Sequence, residues 1–351
     1  MAEKKWKIGM IGAGGISEAH LEATNDEARA EVVAIADVSQ ELAAYRAARH
    51  QIPLVFTDYK ELLGLSELDA VILCLPNYLH YEATIEALKA GKHILCEKPM
   101  ALSAAQAEEM IAAARKAEKI LMVGQNNRFR GDSLYAKRLL EEGKLGQVYL
   151  AKTGWVRRYG IPGWGSWFTQ KELAGGGPLI DIGVHMLDLT LWLLGYPQPV
   201  TVLGKTYAAF GPRKKGLSEW GRADENGRFD VEDLAIAMIT FENGASMTLE
   251  ASWASHIEKE NVFLELYGTE GGTSFQLLED QFTLYHEIND APAATTILPP
   301  KENERVLLFH NFIDALEGTA EPVCTPEHAL YINRLIDAIY LSAKTGEAVK
   351  L

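Results

Sequence analysis

The stretch from Lys7 to Ser17 constrains the fold more than any other. An apolar run, Lys7 to Ile11, passes directly into Gly12-Ala13-Gly14-Gly15-Ile16-Ser17, which opens an amphipathic helix carrying Ile16, Ala19, His20 and Ala23. A buried strand that turns so sharply into a helix needs a residue without a Cβ at the turn, and Gly12 supplies one. Gly14, with Gly15 and Ile16 beside it, lets the backbone come close to another molecule, and the helix N-terminus favours negative charge there. The pattern therefore predicts a cradle for a dinucleotide pyrophosphate. Ser17 stands where a third glycine is usual, but it is small enough for close packing of helix on strand.

The second apolar strand supports this reading. It spans Glu31 to Asp37 and ends in a carboxylate 23 residues beyond Gly14, close to the spacing of about 20 at which an acid accepts bonds from ribose hydroxyls. Asp37 would repel a 2′-phosphate and no arginine follows at once, so NAD is expected rather than NADP; the plain alternative for Asp37 is a turn residue or helix cap. Strands at Leu54 to Phe56, Ala70 to Leu75, His93 to Cys96 and Ile120 to Gly124 alternate with helices at Asp58 to Leu63, Pro76 to Ala90 and Ala104 to Glu118, the last with Ser103 as N-cap. This alternation predicts a doubly wound parallel sheet of the Rossmann type over residues 1–125. Leu75, Pro76, Asn77 and His80 follow a strand end, which puts them at the cofactor edge of the sheet.

Glu97-Lys98-Pro99 comes at the end of the strand His93 to Cys96. Alone it reads as a solvated ion pair before a turn, a feature of little energetic weight. At the carboxyl end of a parallel strand, however, it lies where open α/β sheets bind their ligands, and Lys98 becomes a candidate for the reacting centre with Glu97 near the cofactor.

Beyond Arg128 the alternation stops. A helix, Ser133 to Glu142, leads into strands at Gln147 to Val156, Val200 to Ala209, Val231 to Phe241, Ala245 to Trp253 and Asn261 to Tyr267, which predicts an α+β domain over 126–351 with a large, mainly antiparallel sheet. Both faces of the first strand carry apolar residues, so the sheet is expected to mediate oligomerisation. Gly175-Gly176-Gly177 would admit another molecule closely, and Pro178 suits the first turn of a helix to about Leu194. On that helix Asp181 and His185 are four apart and share a face; a carboxylate can orient an imidazole, whose unperturbed pKa suits proton transfer near neutrality. Tyr159, Trp164, Trp167 and Phe168, beside Arg157 and Arg158, suit a polyhydroxylated ring or simply a core. Gly211 to Asp230 is polar and reads as a mobile loop, a lid or an oligomer arm.

Composition narrows the partners. A chain of 351 residues with a formal charge of −14 and 48% hydrophobic residues is long enough for two domains and lacks the basic surface that nucleic acids or anionic membranes attract. Lys4, Lys5 and Lys7 precede a stretch that glycines interrupt, unlike a signal peptide, and no apolar run reaches the ~18 residues of a membrane span. Cys74, Cys96 and Cys324 show no paired spacing, which fits a reducing cytoplasm. His80, Cys96, Asp181 and His185 form no recognised metal motif, so no metal is expected.

Taken together, the fingerprint, Asp37, Pro76-Asn77-Tyr78-Leu79-His80, Glu97-Lys98-Pro99 and Gly175 to His185 resemble the glucose-fructose oxidoreductase, inositol dehydrogenase and rhizopine catabolism family of NAD(P)-dependent enzymes. The resemblance implies that Lys98 contacts nicotinamide ribose and substrate, that Asp181 and His185 line the substrate site with His185 moving the proton, and that homodimers or homotetramers form through the second domain's sheet; Arg128, Tyr159 and Trp167 are further candidates for substrate binding. The resemblance further implies oxidation of a secondary alcohol on a sugar, sugar derivative or cyclitol such as an inositol. Related scaffolds also serve NAD-dependent glycosidases and non-catalytic nucleotide sensors; a sensor has no need of Lys98, Asp181 and His185 together.

Overall fold

The computed structural model describes residues 5–351, so Lys4 lies outside the described residues. The chain forms two compact units, one built from the residues up to Phe129 with Asn303–Asn333, the other from Arg130–Glu302 with Arg334–Leu351. The first boundary between the units falls between Phe129 and Arg130. A single contiguous second domain is not present, because a later segment returns to the first unit.

In the first unit β1 (Trp6–Ile11), α1 (Gly15–Thr24), β2 (Ala30–Ala36), α2 (Gln40–His50), β3 (Leu54–Phe56), α3 (Tyr59–Leu63), β4 (Ala70–Leu73), α4 (His80–Lys89), β5 (His93–Cys96), α5 (Ala104–Ala117) and β6 (Leu121–Val123) alternate as expected. The sheet runs β3-β2-β1-β4-β5-β6, with every pair parallel. Apolar strands buried on both faces require covering on both, and two separate clusters provide it, one around Val71, Ile94 and Ala107, the other around Ile8, Ile35 and Leu21. Side-chain caps set the helix starts: Ser39 accepts from Leu42 N at 3.3 Å, and Ser103 from Gln106 N at 3.4 Å, while the Gln106 side-chain Oε1 accepts from Leu102 N at 3.1 Å. β4 stops at Leu73, two residues before the expected end, and a short 3-10 turn at Asn77–Leu79 precedes α4.

The second unit contains α6 (Gly131–Glu141), β7 (Val148–Val156), α7 (Lys171–Ala174), α8 (Val184–Leu194), β8 (Pro199–Tyr207), β9 (Leu234–Phe241), β10 (Ser246–Ser252), β11 (Asn261–Gly268), β12 (Gly272–Gln276), β13 (Gln281–Ile288) and β14 (Ala291–Ile297). The chain then enters α9 (Glu304–Glu317) in the first unit, followed by α10 (Pro326–Thr345) and β15 (Val349–Lys350). The nine-stranded sheet runs β14-β13-β12-β11-β7-β10-β9-β8-β15; β7 and β10 pair in parallel and the remaining neighbours are antiparallel. Strands β12 to β14, α9 and α10 go beyond the sequence expectation. The apolar helical stretch Lys171–Leu194, with a mean hydropathy of 1.3 over 18 residues, is 83% buried inside the protein, as a core helix must be.

Candidate active site

The glycine turn has the shape its sequence demands. Gly12 takes φ +97°, and a Cβ there would fall 2.2 Å from the Cys74 carbonyl oxygen, so the turn is pressed against the end of β4. At Gly14 and Gly15 a Cβ would meet nothing within 4 Å, which leaves the approach to the start of α1 open. Gly14 is the N-cap and offers no side chain to the first-turn N–H groups, the donors that an anion satisfies at a helix N-terminus. Ser17 is fully buried and donates its hydroxyl to the Gly14 carbonyl at 2.7 Å. Ile16 packs on the apolar cluster below. The open approach, uncapped helix start and Cβ-free turn fit a dinucleotide pyrophosphate.

Asp37 also holds the turn together. Its Oδ2 accepts from Ala13 N at 2.7 Å and its Oδ1 from Ser39 N at 2.8 Å. The carboxylate therefore ties the glycine turn to the end of β2, a turn role that coexists with its expected place beside a ribose because each oxygen can accept more than one bond. Arg46, from α2, donates Nε to the Ala13 carbonyl at 3.3 Å and pairs with Glu18.

The residues after β4 differ from their expected roles. Leu75 and Pro76 are half-buried and Asn77 is 8% exposed. His80, expected to touch cofactor, has no exposed surface; its Nδ1 lies 2.7 Å from the Pro99 carbonyl and its Nε2 2.9 Å from that of Leu75. Burial pushes its imidazole down toward the neutral form, which donates one of these bonds. His80 thus shapes the loops after β4 and β5 rather than presenting a nitrogen to a ligand. Arg128 needs a similar correction. It is 1% exposed and donates to the Val323 carbonyl at 2.6 Å beside His328, a buried tie to the returning segment that leaves it almost no surface to offer a substrate.

Glu97 and Lys98 do not form the solvated pair that their sequence alone suggests. From Ile94 to Ala101 every residue is buried except Lys98, which keeps partial exposure. Glu97 is 4% exposed; its Oε1 meets His20 Nε2 at 2.7 Å and Arg305 at 3.0 Å, and its Oε2 accepts the Lys98 backbone N–H at 3.1 Å. Burial by itself would raise the affinity of this carboxylate for a proton, but the Arg305 guanidinium and the His20 bond outweigh it and hold Glu97 well below the usual carboxylate range. His20 and Arg305 were not expected here. They are 285 residues apart, and no local pattern joins them.

In the second unit the three glycines serve the chain itself. A Cβ at Gly176 would lie 1.8 Å from the Tyr340 hydroxyl, and one at Gly177 1.9 Å from the Glu232 carbonyl oxygen. Tyr340 donates to Glu232 Oε1 at 2.9 Å, and Leu179 N donates to the same oxygen at 3.2 Å. The expected approach of another molecule is therefore replaced by the half-buried Tyr340 side chain and the main chain of the buried Glu232. Beyond Pro178 the helix begins with a π turn, Leu179–Gly183, before α8, so Asp181 and His185 are not related by a plain α-helical turn.

Between Gly176 and Leu191 only Asp181 and His185 keep partial exposure. The fully buried Trp253 donates its indole N–H to Asp181 Oδ2 at 2.9 Å. The His185 ring lies 5.9 Å from that of Trp155, centroid to centroid and tilted by 42°. Trp155 in turn donates to Glu260 at 2.7 Å, and Arg157 bonds Glu260 at 3.2 Å with its guanidinium 4.9 Å from the Trp155 ring centroid. Gly183 packs against Ala251 of β10, which seats the π turn on the sheet. Trp155 and Trp253 could have been singled out as aromatics on strands flanking the Asp-His helix; Glu260 and Glu232 carry no such signal.

Tyr159 is 58% exposed with Arg158 5.9 Å from its ring centroid, while Trp167 is half-buried and stacks on Phe168 at 3.7 Å. The segment expected to be mobile is tied to these aromatics. The Gly216 carbonyl accepts from Gly160 N and Ile161 N, both at 3.0 Å, Trp220 O accepts from Gly163 N at 2.9 Å, and Asp224 N donates to Trp164 O at 2.8 Å.

Known proteins similar to this chain bear on its family and fold. A family model described as an oxidoreductase family with an NAD-binding Rossmann fold matches residues 6–125, and one for the GFO/IDH/MocA C-terminal domain matches 133–274. The chain is 33% identical to D-glucoside 3-dehydrogenase of Escherichia coli over 100% of its own length and 99% of that protein, and 27% identical to D-apiose dehydrogenase of Paraburkholderia graminis over 99% and 90%. Among solved structures it resembles levoglucosan dehydrogenase in complex with NADH and levoglucosan, with a TM-score of 0.89, 25% identity and 99% of each chain covered.

Proposed function

The chain belongs to the GFO/IDH/MocA oxidoreductase family, and we propose that it is an NAD-dependent dehydrogenase that oxidises a secondary alcohol of a sugar or sugar derivative. One observation carries the assignment of residues. In two otherwise sealed stretches, Ile94–Ala101 and Gly176–Leu191, the only side chains left partly open are Lys98, Asp181 and His185. Three ionisable side chains of different chemistry, a cation, a carboxylate and an imidazole, that open from otherwise buried segments are candidates for chemistry.

When bound, the nicotinamide ring supplies the acceptor for the carbon-bound hydride. His185 takes the hydroxyl proton on a ring nitrogen. Asp181, its orientation set by the Trp253 indole, orients the imidazole and binds a neighbouring hydroxyl. The Lys98 ammonium opposes the negative charge that develops on the reacting oxygen. Gly12, Gly14, Gly15 and Ile16 form the pyrophosphate cradle, Asp37 receives the ribose, and Tyr159 and Trp167 offer aromatic faces to the sugar.

Sugar dehydrogenation by relatives supports this substrate class. The oligomeric reading rests on one face of the large sheet, where Leu203 pairs with Met238 and Leu150 with Tyr267; Leu203, Ile236 and Met238 are each at least 40% exposed. Such a face suits burial against a second copy in a homodimer or homotetramer. The three free cysteines, all buried, accord with a cytoplasmic setting.

The test is nicotinamide absorbance across free sugars, glycosides and inositols, with NAD and NADP in parallel. Reduction of NAD with a sugar or glycoside is expected. Release of free sugar from a glycoside without net NAD reduction would replace the dehydrogenase reading, and a preference for NADP would remove the role given to Asp37.

A further inference from the structure

Glu97 joins three elements through one carboxylate. It closes β5, and the carboxylate lies over Gly124, where a Cβ would come within 3.3 Å of both its Cδ and Oε1. His20, which reaches Oε1, is 1% exposed and sits on α1, the helix that starts at the glycine turn. Arg305, which also reaches Oε1, opens α9, and its own backbone N–H is capped by Asn303 at 3.2 Å. α9 is anchored by Leu308, Phe309 and Phe312 in the same apolar cluster as Leu21 of α1. The other oxygen, Oε2, accepts the main-chain N–H of Lys98.

We propose that Arg305 and His20 are positioning residues for Lys98, fixing through Glu97 the main chain from which the lysine side chain springs and referring it to the helix of the glycine turn. The inference rests on the reading of Lys98 as a catalytic group. Lysine has a flexible four-carbon stem and no planar fork, so where its ammonium can reach depends on where its main chain is held.

The arrangement requires an ionised carboxylate. Both oxygens must accept, Oε1 from the guanidinium and imidazole and Oε2 from Lys98 N–H; a protonated carboxyl or a glutamine amide turns one of them into a donor facing a donor. Protonation of Glu97 on Oε2 therefore releases the Lys98 N–H. A carboxylate this buried takes up a proton readily once its counter-charge is removed, so loss of Arg305 makes the tie to Lys98 pH-dependent near neutrality. The charged groups that face Glu97 are Arg305, His20 and Lys98, from α9, α1 and its own loop respectively.

The experiment compares the full-length wild type with Arg305→Gln, Arg305→Lys and Glu97→Gln, by the pH profile of kcat/KM at saturating NAD and by a carboxyl carbon-13 titration in which Glu97→Gln assigns the Glu97 signal. The wild-type Glu97 signal is expected to stay ionised down to about pH 4. In Arg305→Gln it should titrate at about pH 5–7 and the acid limb of kcat/KM should rise by about one pH unit, with Arg305→Lys moving both in the same direction but less. Glu97→Gln should lower kcat/KM about tenfold or more at every pH, without a shifted limb. A folded Arg305→Gln whose acid limb matches the wild type, or whose activity falls by the same factor at all pH values, overturns the proposal. If Arg305→Gln does not fold, an unmoved limb in Arg305→Lys overturns it equally. The carboxyl titration separates the two readings. A Glu97 signal that titrates normally in the wild type defeats the network, whereas the expected titration in a protein that never reduces NAD with sugars defeats the functional reading.

Discussion

The indole N–H of Trp253 points at Oδ2 of Asp181 across 2.9 Å. Trp253 is fully buried just beyond the end of β10, and a buried indole N–H needs an acceptor. Asp181 is only half-buried, so the same bond that satisfies the tryptophan helps to orient a carboxylate that keeps access to the opening. Trp253→Phe keeps most of the ring's packing and removes the donor. We expect kcat/KM to fall about tenfold, about 1.4 kcal/mol of transition-state stabilisation, with Tm changed by only a few degrees.

Lys98→Ala and His185→Ala each remove a group that acts on charge or proton at the reacting centre. Turnover should drop about a hundredfold or more in each variant, with circular dichroism and Tm close to wild type because both residues are only partly buried. Wild-type turnover in both folded variants would void the catalytic assignment.

Gly176→Ala tests the reassigned glycine run. The added methyl falls on the Tyr340 hydroxyl, which is itself bound to Glu232, so neither partner can withdraw cheaply. A loss of about 2–3 kcal/mol is expected, seen as a lowered Tm and denaturation midpoint. Tyr340→Phe in the Gly176→Ala background should recover part of it, since the closest atom is the hydroxyl oxygen.

His93 couples stability to pH. Burial, with the nearby Lys119 charge, lowers its pKa from 6.5 to about 4, and its Nδ1 accepts the Ile120 N–H at 3.1 Å. The unfolded chain then binds more protons than the folded one between about pH 4 and 6.5, so the stabilisation is complete above 6.5 and declines as pH falls through that window. The expected loss is about 2 kcal/mol. His93→Asn should flatten the dependence of Tm on pH there.

The first unit was legible because its physics is local. Lys7–Ser17, the strand ending at Asp37 and the capped helix at Ser103 each announce themselves within a dozen residues. Lys98, Asp181 and His185 stood out as candidates for a related reason, as charged groups set inside apolar runs. What escaped depends on residues far apart in the chain. Glu97 could not be understood without His20 and Arg305, nor Gly176 without Tyr340. His80 and Arg128 carried polar groups into the right neighbourhood, but their burial, which decides what they can touch, depends on Pro99 and Val323. Strands β12 to β14 were missed because they lie toward one edge of the sheet and are short or largely exposed, so burial leaves only a weak pattern.

The return of α9 to the first unit governs the order of events during synthesis. Leu308, Phe309 and Phe312 complete the apolar cluster that contains Ile8, Met10 and Ile35, yet about 170 residues separate the end of the unit's first segment from α9, which at ~5–20 residues per second is roughly ten to thirty seconds of translation. During that interval one face of the nascent sheet is only partly covered, by α1 and α2, and Glu97 lacks its guanidinium. Nucleotide affinity should therefore be absent from ribosome-bound chains that stop before residue 303 and present in those that have released α9, so a fragment cut at the textural boundary near residue 126 is a poor stand-in for the nucleotide-binding half.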